Sequence, residues 1–372
     1  MSGWSSRIAP FGEITTNMNL DPLSLIGSTP PIRKTETAPS GVSFGVHLPC
    51  RTLSGGESQP ASQDLLIAMV DAAKEAGCAS IWVTDHIIYR DPWMDCLLLL
   101  AAIAGRAKES GLTIATGIVG LPLRHPAALA QSFATLDILS GGKLIIGVGE
   151  GSAQSDFAAL GISFEERRNM LKDGVIALRA LLTKTNVSHE GPYYRFHDVT
   201  VSPRCIQRPC PPFWLSSWGA HAGMRRVARL GDGWVASAWH STPEQFHSAL
   251  GTLNAALTER GKDPKNFPNA VDTMFMFIDP DRARARRVAL PIIERAMGIP
   301  FDAAAGHCLV GDYSECEELL QRWIEAGARQ LCVWPVVDPV RQIMRFGEHV
   351  LRGAVNCKVT PEEAMHGVAR QH

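Results

Sequence analysis

The 372-residue sequence has no apolar stretch long enough to cross a bilayer: its densest run, residues 96–104, is nine residues long, against the roughly 20 that a span needs. That run reads instead as a segment of buried helix. The N-terminus has no apolar signal core, so the sequence predicts a protein that is not exported. No two of the nine cysteines, at positions 50, 78, 96, 205, 210, 308, 316, 332 and 357, fall in a CxxC spacing, which argues against a zinc ribbon or a thioredoxin-type site. Scattered and odd in number, they read as reduced, mostly buried thiols of a cytoplasmic protein. Neither sign of charge is in excess: 36 Lys and Arg face 37 Asp and Glu, for a net charge of -1. No basic field therefore points to nucleic acid. The ends of the apolar strands also lack clustered carboxylates and His/Asp metal-ligand spacings, which argues against a hydrolytic metal centre.

What is present is apolar content and rhythm. Hydrophobic residues make up 45% and charged residues 20%, the composition of a folded chain with a large core. Residues 1–42 stand apart, rich in Thr, Ser, Pro and Asn, with Pro30-Pro31 blocking regular structure; this segment reads as a mobile extension or a peripheral strap. From residue 43 strands alternate with helices. Strands are expected at 43–48, 79–84, 112–117, 143–148, 213–216, 233–236, 271–278 and 330–334. Helices are expected at 63–76, 95–108, 126–139, 164–182, 220–230, 244–260, 281–296, 314–326 and 339–351. A polar segment, 189–203, breaks the rhythm as an inserted hairpin or loop, and 49–62, 152–164, 186–212 and 296–312 carry no readable motif. Short apolar strands separated by helices are buried on both faces and pair in parallel. Eight such units suit an α/β fold of the (β/α)8 TIM-barrel type with insertions, spanning 43–355 and followed by a tail at 356–372. An open doubly wound sheet is the alternative, but it would prefer an early glycine-rich dinucleotide loop, which is absent.

A barrel carries its site at the C-terminal ends of its strands. The residues there are His47, Asp85-His86, Gly117-Ile118, Gly149-Glu150-Gly151-Ser152, Ser216-Ser217-Trp218-Gly219-Ala220, Trp239-His240 and Trp334-Pro335. Such a rim, rich in Gly, His and Trp, suits a flat heteroaromatic ligand. Two segments are phosphate-competent. Gly149, Glu150 and Gly151 follow strand four, where they serve equally as a tight turn. Ser217, Gly219 and Ala220 open a helix, where small residues free backbone N–H groups for an anion; capping of that helix by Ser217 is the alternative. His86 stands one residue past strand two as a candidate catalyst, and Asp85 either caps the following loop or holds a cofactor hydroxyl. His47, Trp93, Trp239 and Trp334 are candidate pocket walls, with core packing as the alternative. Arg124-His125-Pro126 reads as a helix start.

Taken together in order and spacing, four segments resemble the luciferase-like monooxygenase superfamily over roughly residues 43–350. They are Thr84-Asp85-His86, the run from Thr116 through Gly117-Ile118 to Pro126, the run from Ala134 through Lys143 into Gly147–Gly151, and Gly231-Asp232-Gly233-Trp234. The resemblance implies a bacterial-luciferase-like (β/α)8 barrel that binds reduced FMN or the deazaflavin coenzyme F420. It implies that Asp85 holds the cofactor and that His86 lies beside its ring, the arrangement of the deazaflavin branch. Gly117-Ile118 matches the site of a non-prolyl cis peptide that buttresses the ring, and Gly219-Ala220 a pair of backbone donors to the cofactor phosphate. Members often pair as homodimers through barrel helices. Two positions depart from the pattern: Ser152 stands where sugar-phosphate dehydrogenases of the family carry a glutamate proton donor, and Ala220 replaces a glycine.

Three readings follow. In the first, the chain is a coenzyme F420-dependent oxidoreductase that moves a hydride to or from a small, apolar organic substrate. In the second, it is an FMN-dependent two-component monooxygenase that uses O2 and a separate flavin reductase partner. In the third, the barrel only binds a flavin-like ligand as a sensor or carrier. Neither a nucleic acid nor a membrane partner is expected in any of them.

Overall fold

The computed structural model describes residues 41–51, 61–89, 91–298 and 307–351. The expectations for the extension up to residue 40 and for the tail at 356–372 lie outside the described residues.

Twelve strands are described: β1 (Ser43–His47), β2 (Ser80–Val83), β3 (Thr113–Thr116), β4 (Val119–Gly120), β5 (Leu144–Gly149), β6 (Val187–Glu190), β7 (Arg195–Val199), β8 (Phe213–Ser216), β9 (Gly233–Ser237), β10 (Asn269–Ile278), β11 (Leu309–Gly311) and β12 (Gln330–Pro335). Eight of them close a parallel ring in the order β1-β2-β3-β5-β8-β9-β10-β12 and back to β1. These are the eight strands expected from the sequence. Their near-continuous burial explains the absence of polar alternation: every residue of β2 and β12 is buried, because one face meets the barrel interior and the other the helices. The interior is filled, with Trp82 and Trp214 at 6.0 Å between ring centroids and Ala115, Val235, Ala270 and Cys332 packed around them.

The helices are α1 (Gln63–Glu75), α2 (Cys96–Glu109), α3 (Pro126–Leu139), α4 (Gln154–Leu160), α5 (Arg167–Thr183), α6 (His221–Leu230), α7 (Pro243–Thr258), α8 (Arg282–Met297), α9 (Tyr313–Glu325) and α10 (Pro339–Arg345), the last running into a π-type turn, Phe346–Leu351. Side chains start several of them. Ser62 and Asp95 cap α1 and α2, and Thr242/Gln245 and Asp312/Glu315 form reciprocal capping boxes on α7 and α9, each satisfying amides that a first turn leaves without partners. The apolar run of α2 is mostly core: Leu99, Leu100 and Ile103 are buried, while Leu98 is exposed.

The structure adds elements that the sequence reading passed over. The segment 152–164 contains α4, and 296–312 contains β11, which pairs with the second half of β10. Both are too short for periodicity to declare them. The polar insertion is a hairpin, β6–β7. Strand β10 is the longest and least regular: its register shifts between Val271 and Met274, and Thr273 has φ 59°. A β-branched residue rarely adopts that conformation. The bulge lets the first half of β10 pair with β9 and the second half with β11.

Candidate functional site

The rim of the barrel holds a carboxylate–imidazole pair. His86, just past β2, has Nδ1 2.7 Å from Oδ2 of Asp156 on α4. The other oxygen of Asp156 accepts from the amides of Ile87 (3.1 Å) and Ile88 (2.7 Å). Burial alone would raise the Asp156 carboxyl, but hydrogen bonds from His86 and from these amides outweigh it and hold the group below its usual range. The His86 ring packs against Tyr89, at 4.3 Å between centroids, and against the edge of Trp93, at 4.6 Å.

From Trp93 the aromatic contacts run on into the barrel mouth. Trp93 meets Trp334 at 6.5 Å, and Trp334 stacks on His47 at 4.8 Å and 15°. On the other side Trp334 meets Phe275 at 5.4 Å, and Phe275 meets Trp239 at 5.9 Å. The structure therefore brings His47, Trp93, Trp239 and Trp334 onto one wall. Arg51 lies over the Tyr89 ring at 5.0 Å, with its guanidinium engaged by Asp91 and the Ala296 carbonyl.

Beneath the wall lies a second pair. His47, fully buried, bonds through Nε2 to Oδ1 of Asp272, whose Oδ1 also accepts from the Thr273 amide at 2.7 Å. The bulge in β10 turns this carboxylate into the barrel. A Cβ placed on Gly117 would stand 2.5 Å from Asp272 Oδ2 and 2.8 Å from Trp82, so only glycine fits there. The Gly117–Ile118 peptide is cis. On the neighbouring strand a Cβ on Gly149 would stand 2.7 Å from Ile118, so glycines on β5 leave room for that peptide.

The segment after β8 opens α6 without a side-chain cap: Ser217 does not cap the helix, and Ala220 is its N-cap residue. Gly219, at φ 92°, makes a turn that residues with a Cβ rarely make. The first-turn amides of α6 thus have no side-chain partner. Trp218 is exposed beside them and stacks on His240 at 3.8 Å.

Two other expectations need correction. Asp85 is not open to a ligand: it is buried, paired with both terminal nitrogens of Arg124, and accepts from the Gly120 amide at 3.2 Å. It joins β2 to the start of α3, where His125 caps the helix. Glu150 is likewise taken up, by Arg226 at 3.0 Å and Arg168 at 3.3 Å, and ties α5 to α6. Gly151 is a turn residue at φ 78° beside Phe157. The reading from sequence missed Asp156 and Asp272. The first sat in a segment read as loop. The second was a charge inside an otherwise apolar strand, which was the available signal.

Fold and site together define a (β/α)8 barrel whose mouth offers an aromatic wall, two carboxylate–imidazole pairs and an uncapped helix N-terminus. The family model for luciferase-like monooxygenases matches residues 42–331, and the chain belongs to that family. It is 32% identical over 318 residues to an F420-dependent glucose-6-phosphate dehydrogenase of Amycolatopsis mediterranei, covering 77% of this chain and 93% of the relative. It is 27% identical over 317 residues to the F420-dependent hydroxymycolic acid dehydrogenase of Mycobacterium tuberculosis, covering 77% and 84%. Among solved structures, the monooxygenase RslO1 of Streptomyces bottropensis superposes with a TM-score of 0.72 at 24% identity, covering 84% of this chain and 99% of that one.

Proposed function

We propose that this chain is a coenzyme F420-dependent oxidoreductase that moves a hydride between the cofactor and a small organic substrate. The observation that carries the reading is the His86–Asp156 pair at the end of β2, one strand from the Gly117–Ile118 peptide, in a chain whose relatives over three-quarters of its length are F420-dependent dehydrogenases by name. The residues fit such a group. The aromatic wall can flank a flat ring, and the uncapped amides of α6, beyond the turn at Gly219, can take its phosphate.

When bound, the deazaflavin supplies hydride acceptance and donation without ready reaction with O2. The chain's own residues orient and exclude water. Asp156 fixes the His86 ring through Nδ1 and leaves Nε2, which makes no hydrogen bond among the described residues, to position the ring or hold a proton. Trp93 and Trp334 keep the mouth dry. Ser152, in place of a glutamate donor, supports a substrate other than a sugar phosphate. The eight described cysteines are buried and unpaired, which supports a cytoplasmic location. Among the described residues no helix is long and apolar enough to cross a membrane.

Fluorescence titration of the purified chain with coenzyme F420 and, separately, with FMN tests the reading. Micromolar or tighter binding of F420 alone is the expected result. Tight binding of reduced FMN alone would replace it with the two-component monooxygenase and its separate reductase. Binding of neither below about 1 mM, an interaction of only about 4 kcal/mol, would overturn both.

A further inference from the structure

Arg51, just past β1, carries a guanidinium that is almost wholly enclosed, the residue being 3% exposed. Enclosing a charge is costly even when it is paired, so its place at the barrel mouth calls for a use. It is not free to take an anion. Nε donates to Oδ2 of Asp91 at 2.8 Å, and Nη2 donates to the same oxygen and, at 2.6 Å, to the carbonyl of Ala296 in the last turn of α8. Its backbone bridges to Trp93 in antiparallel fashion, and the Met94 amide donates to the Cys50 carbonyl at 2.8 Å. The segments after β1 and after β2 and the end of α8 are thus tied at this one side chain. Its remaining contacts are with aromatic rings, Tyr89 at 5.0 Å and Trp93 at 5.8 Å, within cation–π range.

Those two rings are the ones that pack on His86. Tyr89 lies against the imidazole at 4.3 Å and 35°, Trp93 meets it edge-on at 4.6 Å and 80°, and the two meet each other at 5.1 Å. Trp93 is held by its indole N–H, which donates to the Thr84 carbonyl at 3.2 Å. The Tyr89 side chain makes no hydrogen bond among the described residues; its ring meets His86, Trp93 and Arg51. A carboxylate on Nδ1 selects the tautomer of an imidazole. It does not fix the plane, because the ring torsion of a histidine has a broad minimum; contacts on the faces and edges do that. We infer that Arg51 is a positioning residue for His86. It holds Tyr89 and Trp93 against the imidazole and so fixes its plane, and with it the direction of Nε2, while Asp156 fixes the proton on Nδ1. This rests on the F420-dependent reading above and adds to it the residue that aims the His86 nitrogen. No proton or electron passes through Arg51, Tyr89 or Trp93.

Long-range proton–nitrogen NMR of the full-length chain without cofactor reads the imidazole directly, with the His86 signals assigned by their absence from His86→Gln. Wild type should show one sharp His86 ring with its proton on Nδ1. Tyr89→Leu, which leaves the Arg51–Asp91 pair intact, should broaden or split those signals without moving the proton. Tyr89→Phe, which restores the ring, should return them to the wild-type pattern. Arg51→Met should act as Tyr89→Leu does. Arg51→Lys, which keeps the charge and loses the planar fork, should lie between, and it decides the matter if Arg51→Met does not fold. Fluorescence titration reads the effect on the cofactor: F420 should bind about tenfold more weakly to Arg51→Met and Tyr89→Leu, and Tyr89→Phe should recover most of the loss. His86 signals as sharp as wild type in Arg51→Met or in Tyr89→Leu would overturn the proposal. So would a Tyr89→Phe variant no better than Tyr89→Leu, which would move the role from the ring to the hydroxyl. Sharpness lost as expected in a chain that does not bind F420 would uphold the positioning role and overturn the cofactor reading instead.

Discussion

His86–Asp156 at the rim and His47–Asp272 in the floor are the same chemical pair placed in different surroundings. At the rim the imidazole is partly exposed, and its carboxylate is saturated by two amides besides the ring. In the floor the imidazole is fully buried and one ring nitrogen has no partner. The rim pair joins a loop to a short helix, whereas the floor pair joins two barrel strands. An interaction cut off from water is stronger and costlier to leave unmade. The floor pair should therefore matter mainly to stability, and the rim pair mainly to the reaction.

Asp272→Ala is the strongest way to break this contrast. It leaves a buried imidazole with neither nitrogen paired, at a cost of about 3 kcal/mol, read as a lowered denaturant midpoint. A loss below about 1 kcal/mol would show that the floor pair is not structural. Next, His86→Ala should lower F420-dependent turnover by about 10²-fold, with thermal stability close to wild type; wild-type turnover would remove His86 from the mechanism. Asp156→Asn sharpens the comparison through pH. The Asp156 carboxyl lies below its ordinary value of 3.8 in the folded chain. The pair's stabilisation is therefore complete above that value and is lost as pH falls below it. Melting curves taken down the acid range should show a shallower loss for the Asn variant than for wild type. The smallest effect belongs to Glu150→Gln. Its partners are partly exposed arginines, so it should cost less than about 1 kcal/mol, checked by the same melting curves.

The eight ring strands and the helices between them were legible before any coordinates, because strands buried on both faces are short apolar runs and their helices carry 3.6-residue periodicity. The turn glycines and His86 were legible from their place after those strands. The partners were not. Asp156 pairs with a residue 70 positions away and Asp272 with one 225 positions away, and no local pattern encodes such a distance. Asp85 and Glu150 looked available for the same reason: Arg124 and Arg226 that occupy them come from other units of the barrel. The sequence by itself determined the alternation, the closure into eight units and which residues crown the strands. Tertiary structure alone decided which of those residues are already satisfied by one another and which, like Nδ1 of His47, are left with a bond to make, since that depends on the ring closing and on a bulge in one strand.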